Sequence, residues 1–442
     1  MNRTEYVLGN MLKCSLSGSD INKNIDVPGY LSDKEWMELS MTAGSQKISA
    51  LLYDTASGMS HIPEKIVAGF KTDALKTAAS DFRLLFLSRD ILDTLDHHGI
   101  PSLLLKGMGT AGFYPSPLMR KSGDVDILIP DPGQLTKAIG VLEEHGLKVK
   151  ETQLALHHVV MSFEDTIDVE LHSLLAEPFD DERINRILMK QQRRLLSKHE
   201  AGHATRPVAG EVAGGATGDA SEHWAEYDLS SDDDFVINRN VLGVELITLG
   251  DAFHAYELLL HMLQHYLRSG FGIRLLCDWV CFWNREIPEH TVRKYLKLVK
   301  ESGIKGFSDM ITLVCYRHLG LCKESVKLLT AGEKRFTRSE ADAYWEDFLR
   351  SGEFGKVSKD RMVALRGNGI TDYIREFHHQ MKLNYPEAGK IIPAWPVLWG
   401  LTFARFMINN KRIRNVSLRS VLASAGKRGN MVKKLQLFSR KG

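Results

Sequence analysis

The chain has 442 residues, 43% hydrophobic and 25% charged, with a formal net charge of +2. That length and balance suit a folded soluble protein of two or three domains with cores of their own. The opening MNRTEYVLGNMLKC lacks the apolar stretch of a secretory signal, and the five cysteines form no Cys-x-x-Cys pair. A reducing, cytoplasmic setting with structural thiols is therefore expected, and no cysteine-built metal cluster is implied.

Residues 1–100 read as a helical region. Asp33–Leu52 carries Trp36, Leu39, Ala43, Ile48, Leu51 and Leu52 in a helical stripe, and Asp81–His98 repeats the pattern with Leu84, Leu85, Leu87, Ile91, Leu92 and Leu95. Both are expected to pack against the sheet that follows.

Residues 101–199 hold the informative motifs. Ser102–Leu105 is an apolar strand running into Lys106-Gly107 and then Met108-Gly109-Thr110. Glycines there let backbone approach a phosphate, and a helix N-terminus offers unpaired N–H groups. Asp124–Ile129 then alternates. Strand side chains point to opposite faces in turn, so Val125 and Ile127 face a core while Asp124 and Asp126 share an open edge, as a divalent ion requires. Asp-x-Asp alone arises by chance, and the glycine turn before it carries the weight. Pro132 and Gly133 end the strand, Leu135–His145 forms an amphipathic helix closing near Gly146, and Lys148–Val149 and His158–Phe163 read as strands. They lead to Thr166–His172, where Asp168, Glu170 and His172 share one face and Ile167, Val169 and Leu171 the other. A third carboxylate is expected from this strand. Asp180–Leu196 reads as a helix.

Gly109-Thr110, the short helix and Asp124-Val125-Asp126 together resemble the DNA polymerase beta-like nucleotidyltransferase superfamily, with Thr where Ser is usual. Leu105-Lys106-Gly107, Tyr114-Pro115, Arg120 and Gly123-Asp124-Val125-Asp126-Ile127-Leu128 are similar to a bacterial nucleotidyltransferase family, Lys106-Gly107 replacing the glycine–serine pair. The resemblance runs from about Trp36 through Asp278 and is most specific between Leu104 and Leu128. It implies an α+β fold, a small mixed-sheet core flanked by N- and C-terminal helical regions. It also implies metal-dependent transfer of a nucleoside monophosphate from an NTP such as ATP to a hydroxyl or phosphate acceptor, with release of pyrophosphate. Mg²⁺ or Mn²⁺ would sit on Asp124, Asp126 and Glu170, because the family pattern includes Glu170-Leu171-His172 and leaves Asp168 outside. Glu170 would complete a second metal site or act as base for the acceptor. Around the nucleotide, Lys106, Gly107, Gly109, Thr110 and Arg120 are expected: Lys106 neutralises phosphate or solvates a turn, and Arg120 grips a phosphate or pairs with Asp124. His172 reads as an orienting group rather than a ligand.

Two other functions share these features. A metal-dependent glycosyltransferase using a nucleotide sugar also employs Asp-x-Asp, but wants a nucleotide-binding α/β half where residues 1–100 read as helical. A catalytically silent nucleotide-binding scaffold protein would use the remaining segments for assembly.

Residues 200–235 are poor in large apolar side chains and end in an acidic run, which predicts a flexible insertion. Residues 236–330 read as a helical domain. In it Asp251–Arg268 places His254, Glu257, His261 and His265 on one face, and His261 and His265 match family histidines expected to line the substrate cleft. Arg274 and Asp278 also match, as an ion pair or with Arg274 reaching the triphosphate. Residues 331–442 form a helical C-terminal region. From Ala388 to Gly442 there are 12 Lys or Arg and no Asp or Glu. Ile391–Ile408, with two prolines and Arg405, is a poor spanning helix. Trp395, Trp399 and Phe403 beside the basic tail suit packing on an acidic face of the chain, a nucleic-acid contact, or, ahead of nucleic acid, an anionic membrane surface at the inner face of the membrane.

Overall fold

The computed structural model describes residues 2–17, 31–153, 158–179, 182–204, 235–267, 270–332, 335–352 and 391–409, with short runs between 374 and 388 and between 431 and 437. It is an α+β protein. A seven-stranded mixed sheet has helices on both faces. The N-terminal helices are α1 (Arg3–Ser17), α2 (Asp33–Ser45), α3 (Tyr53–Ser57) and α4 (Glu64–His97). Then come β1 (Leu103–Leu104), α5 (Met108–Ala111), β2 (Asp124–Leu128), α6 (Leu135–Glu144), β3 (Lys148–Gln153), β4 (His158–Phe163), β5 (Ile167–His172) and α7 (Glu182–Ala204). The hairpin β6 (Val236–Val241) and β7 (Val244–Leu249) precedes α8 (Asp251–Leu267), α9 (Ile273–Trp283), α10 (Glu289–Glu301), α11 (Lys305–Leu319), α12 (Lys323–Thr330), α13 (Arg338–Ser351) and α14 (Trp395–Asn409).

The strand order is β3-β4-β5-β2-β1-β7-β6. At its centre β2 runs parallel to β5 and antiparallel to β1, while β1 runs parallel to β7. Alternation assigns the faces. Val125, Ile127, Ile167, Val169 and Leu171 join one apolar cluster with Leu84, Ile91 and Leu95 of α4 and Ala138 and Leu142 of α6. Leu103, Leu105, Leu128, Ile247 and Leu249 join a second cluster, built mainly from α8 to α13. Asp124, Asp126, Glu170 and His172 therefore lie on the sheet face turned toward those helices.

Helix α4 ties the two clusters together. It spans 34 residues, about 50 Å at the usual rise, with Ile66 and Phe70 in the helical cluster and Leu84 to Leu95 on the sheet. Each of those leucines contributes up to about 1.5–3 kcal/mol by leaving water. The expected helix over Asp81–His98 is thus the second half of a longer element. Helix α2 differs from expectation. Its Trp36, Leu39 and Ala43 pack in the helical cluster and not on the sheet.

The reading of 236–330 as purely helical is also corrected, because β6 and β7 widen the sheet beyond β1. Leu242 and Gly243 both take positive φ, the two-residue turn that suits strand twist. Helix α7 runs into the first part of the expected insertion. Residues 205–234 lie outside the described residues.

Candidate active site

The site is assembled by register. Parallel pairing sets Asp124 beside Asp168, Asp126 beside Glu170 and Leu128 beside His172. Asp126 is 2% exposed and makes the charged centre: its Oδ1 lies 2.9 Å from His172 Nε2 and 3.2 Å from Lys106 Nζ. His172 Nε2 is also 3.4 Å from Glu170 Oε2. One ligand atom from each of Asp126, Glu170 and His172 lies within 4.8 Å of the others, a group that could hold a metal ion. Asp168 stands apart. Its half-exposed carboxylate is 2.5 Å from Lys150 Nζ.

The turn that delivers Lys106 explains two glycines. Gly107 has φ +62°, a left-handed conformation costly for other residues, and an added Cβ would lie 3.3 Å from the Asp124 carbonyl. A Cβ on Gly109 would come within 3.0 Å of Thr248 Cγ2, so that glycine serves the close approach of α5 to β7. Its N–H donates to the Lys106 carbonyl.

Two residues expected around the nucleotide have partners within the fold. Thr110 is fully buried, its hydroxyl 3.1 Å from His254 Nε2, because α5 packs its polar residue against α8. Arg120 is 4% exposed and pairs with Asp278 rather than with Asp124. Its Nε and Nη2 donate to Asp278 at 2.8 and 2.9 Å and its Nη1 to Ser122 at 3.0 Å, and the Tyr114 hydroxyl donates to Asp278 at 2.7 Å. A buried guanidinium takes a bidentate carboxylate because no water replaces its hydration there. Asp278→Ala should then destabilise by about 3–5 kcal/mol in urea unfolding, since it strands a buried cation. A loss below about 1 kcal/mol would show that Arg120 has another partner or reaches solvent. Asp81 on α4 completes the frame, its Oδ1 accepting from the Ser122 N–H at the entrance to β2.

The electrostatics follow from crowding like charges beside two cations. The charge of Asp126, and then burial, push Asp124 up to about 6. Burial works against ionised Asp126 too, but Lys106 and His172 hold it well below the usual carboxylate range. Burial opposes the charged imidazole of His172, yet hydrogen bonds to Asp126 and Glu170 lift it to about 9. Lys106 stays charged in the same way, burial being overcome by Asp126 and then Glu257.

Helix α8 contributes less than its histidine stripe suggests. His254 is spent on Thr110, and His261 and His265 pack ring edge to face at 4.5 Å. Glu257, read only as part of that stripe, is 6% exposed with an Oε2 that has no hydrogen-bond partner among the described residues, and burial pushes it up to about 7. The signal that could have singled it out is a lone carboxylate between Tyr256 and Leu258 in an otherwise apolar run.

Residues 32–205, from α2 through α7, match an uncharacterised nucleotidyltransferase family. Over those residues, less than half of the chain, the protein is similar to that family. The matched segment contains β1 to β5 and with them Lys106, Asp124, Asp126, Glu170 and His172, so the charged group lies inside the matched segment. Hairpin β6–β7 and every element after it lie beyond it. Neither the comparison with curated proteins nor that with solved structures found a match.

Proposed function

We propose that the protein is a metal-dependent nucleotidyltransferase that moves a nucleoside monophosphate from an NTP such as ATP to a hydroxyl or phosphate acceptor. One observation carries the reading. The β2–β5 register sets Asp126 against Glu170 within the family segment, with the Lys106 ammonium at the same carboxylate. Clustered carboxylates, half-screened by a lysine and a histidine, are the donor chemistry of a hard divalent cation. Asp124, Asp126 and Glu170 would hold Mg²⁺ or Mn²⁺, which supplies charge neutralisation across the triphosphate. Lys106, 21% exposed at its side chain, adds its own positive charge to the phosphates, and Gly107 keeps the backbone beside it low. Glu170, 28% exposed, can ligate or take the acceptor proton. As the acceptor oxygen bonds the α-phosphorus, the bond to pyrophosphate breaks. Positioning and charge supply most of the acceleration in such transfers.

The test is release of pyrophosphate from each of the four NTPs with Mg²⁺ or Mn²⁺, cell extract serving as acceptor. Release by the natural protein and none by Asp126→Asn supports the reading. Absence of both release and metal-dependent nucleotide binding overturns it.

For a partner beyond the substrates, the C-terminal region favours an anionic membrane surface. No helix among the described residues is long and apolar enough to cross a membrane. Helix α14 buries Leu398 and Thr402 while Val397, Leu401 and Phe403 are exposed, as are Ile391 and Ile392 just before it. Liposome sedimentation should require anionic lipid, weaken with salt, and fall on Trp399→Ala or truncation after Asn410, since each basic residue near such a surface adds on the order of 1 kcal/mol. Equal retention on neutral liposomes would reject the anionic requirement, and binding to no liposome, or capture by RNA alone, would reject the membrane.

A further inference from the structure

We propose that His172 ligates a divalent ion together with Asp126 and Glu170, and that its nitrogen makes this position select a transition-metal ion such as Mn²⁺ over Mg²⁺. The inference rests on the metal-dependent reading above and deepens it by naming the ion.

The spacing already suits coordination. His172 Nε2 stands 2.9 Å from Asp126 Oδ1 and 3.4 Å from Glu170 Oε2. Neighbouring donors on a six-coordinate ion with bonds near 2.1 Å are about 3 Å apart, so the three atoms can close on an ion with small side-chain movements once Nε2 releases to solvent the proton it holds between the two carboxylates. The support is rigid, because all three side chains project from paired central strands of one sheet. Two of the three side chains are shielded, Asp126 and His172 being 3% and 15% exposed, while Glu170 at 28% leaves the ion a way in. His158, the register partner of His172 on β4, has its ring centroid 5.7 Å away and backs the imidazole.

Donor chemistry then sets the preference. Mg²⁺ keeps to oxygen ligands and gives up water reluctantly, whereas first-row transition ions accept an imidazole nitrogen beside carboxylates, Mn²⁺ the most weakly of them but ahead of Mg²⁺. Asp124 lies two residues before Asp126 on the same face, outside the His172 group. An ion held by Asp124 and Asp126 would meet carboxylate oxygens, and an ion held by Asp126, Glu170 and His172 a mixed set. The two positions should therefore differ in the ion they take.

The experiment is Mn²⁺ titration of the full, metal-free chain without nucleotide, followed by electron paramagnetic resonance. Competition with Mg²⁺ gives the preference, and spin-echo modulation detects a directly bound ¹⁴N nucleus. The expected result is Mn²⁺ bound at least about tenfold more tightly than Mg²⁺ with ¹⁴N coupling. His172→Gln should remove the coupling and cost Mn²⁺ about tenfold or more while leaving Mg²⁺ affinity nearly unchanged. Mn²⁺ bound with no ¹⁴N coupling overturns the inference and leaves the nucleotidyltransferase reading standing. Coupling that survives His172→Gln and disappears in His158→Gln also overturns it. Failure of the natural protein to bind either ion, with or without ATP, removes both.

Discussion

Asp124→Asn should abolish nucleotide transfer and, at neutral pH, make the metal-free protein more stable. The amide keeps the shape of the side chain and removes the charge a divalent ion needs. The stability gain follows from the neighbouring carboxylate. Asp126 and burial together push Asp124 up to about 6 from its ordinary 3.8. A carboxyl whose folded pKa lies above its unfolded value contributes full stability below the unfolded value and loses it as pH rises through the folded one. Asn has no such loss. Asp124→Asn should therefore exceed the natural protein in stability above pH 6 by an amount on the order of 1–3 kcal/mol, the difference fading below pH 4. Thermal unfolding in chelator between pH 4 and 8 measures this, and calorimetry with Mg²⁺ and a non-hydrolysable NTP measures ligand binding. Undiminished metal-dependent binding would remove Asp124 from the site. A less stable variant at pH 7 would overturn the electrostatic account. Asp126→Asn should have the same effect on transfer and the opposite effect on stability, because Lys106 and His172 lose their shared acceptor. Gain of function-independent stability at one carboxylate and loss at its neighbour is what a site kept under charge strain predicts.

Glu170→Gln should lower kcat/KM by about two orders of magnitude or more, in line with loss of a metal ligand or base. Asp168→Asn should cost far less. Both residues project from the same face of β5, two positions apart, but Glu170 stands beside Asp126 while Asp168 stands beside Asp124 and is 2.5 Å from Lys150 at the surface. Exposed ion pairs contribute about 0–1 kcal/mol, so loss of the Asp168–Lys150 pair should barely move stability or rate. Steady-state kinetics on both variants decides. Reversed effects would move the third carboxylate to Asp168 and shift the proposed ion toward Asp124.

Local regularities in the sequence determined the elements that carry the site. Period-2 alternation over Asp124–Ile129 and Thr166–His172 needs only the geometry of a strand, so the separation of Val125 and Ile127 from Asp124 and Asp126 was readable before any fold was known. The leucine stripe of α4 was equally local. Hairpin β6–β7 was readable in principle from alternation around Leu242-Gly243, but Leu at the first turn position hid a signal usually given by Asn or Asp.

Only the tertiary structure decided which elements meet. That Asp126 faces Glu170 depends on β2 and β5 pairing in parallel across about forty intervening residues, and a slip of one residue would have turned Glu170 to the opposite face. Partners of buried polar groups were equally out of reach. Arg120 found Asp278 on α9, and Thr110 found His254 on α8, because a polar atom taken out of water binds whatever complementary group the fold brings to it, however far away in the chain. Residue type and local period do not record that distance. The same cause makes His172 part of the charged group: its ring nitrogen lies between two carboxylates only because the strand that carries it pairs beside Asp126.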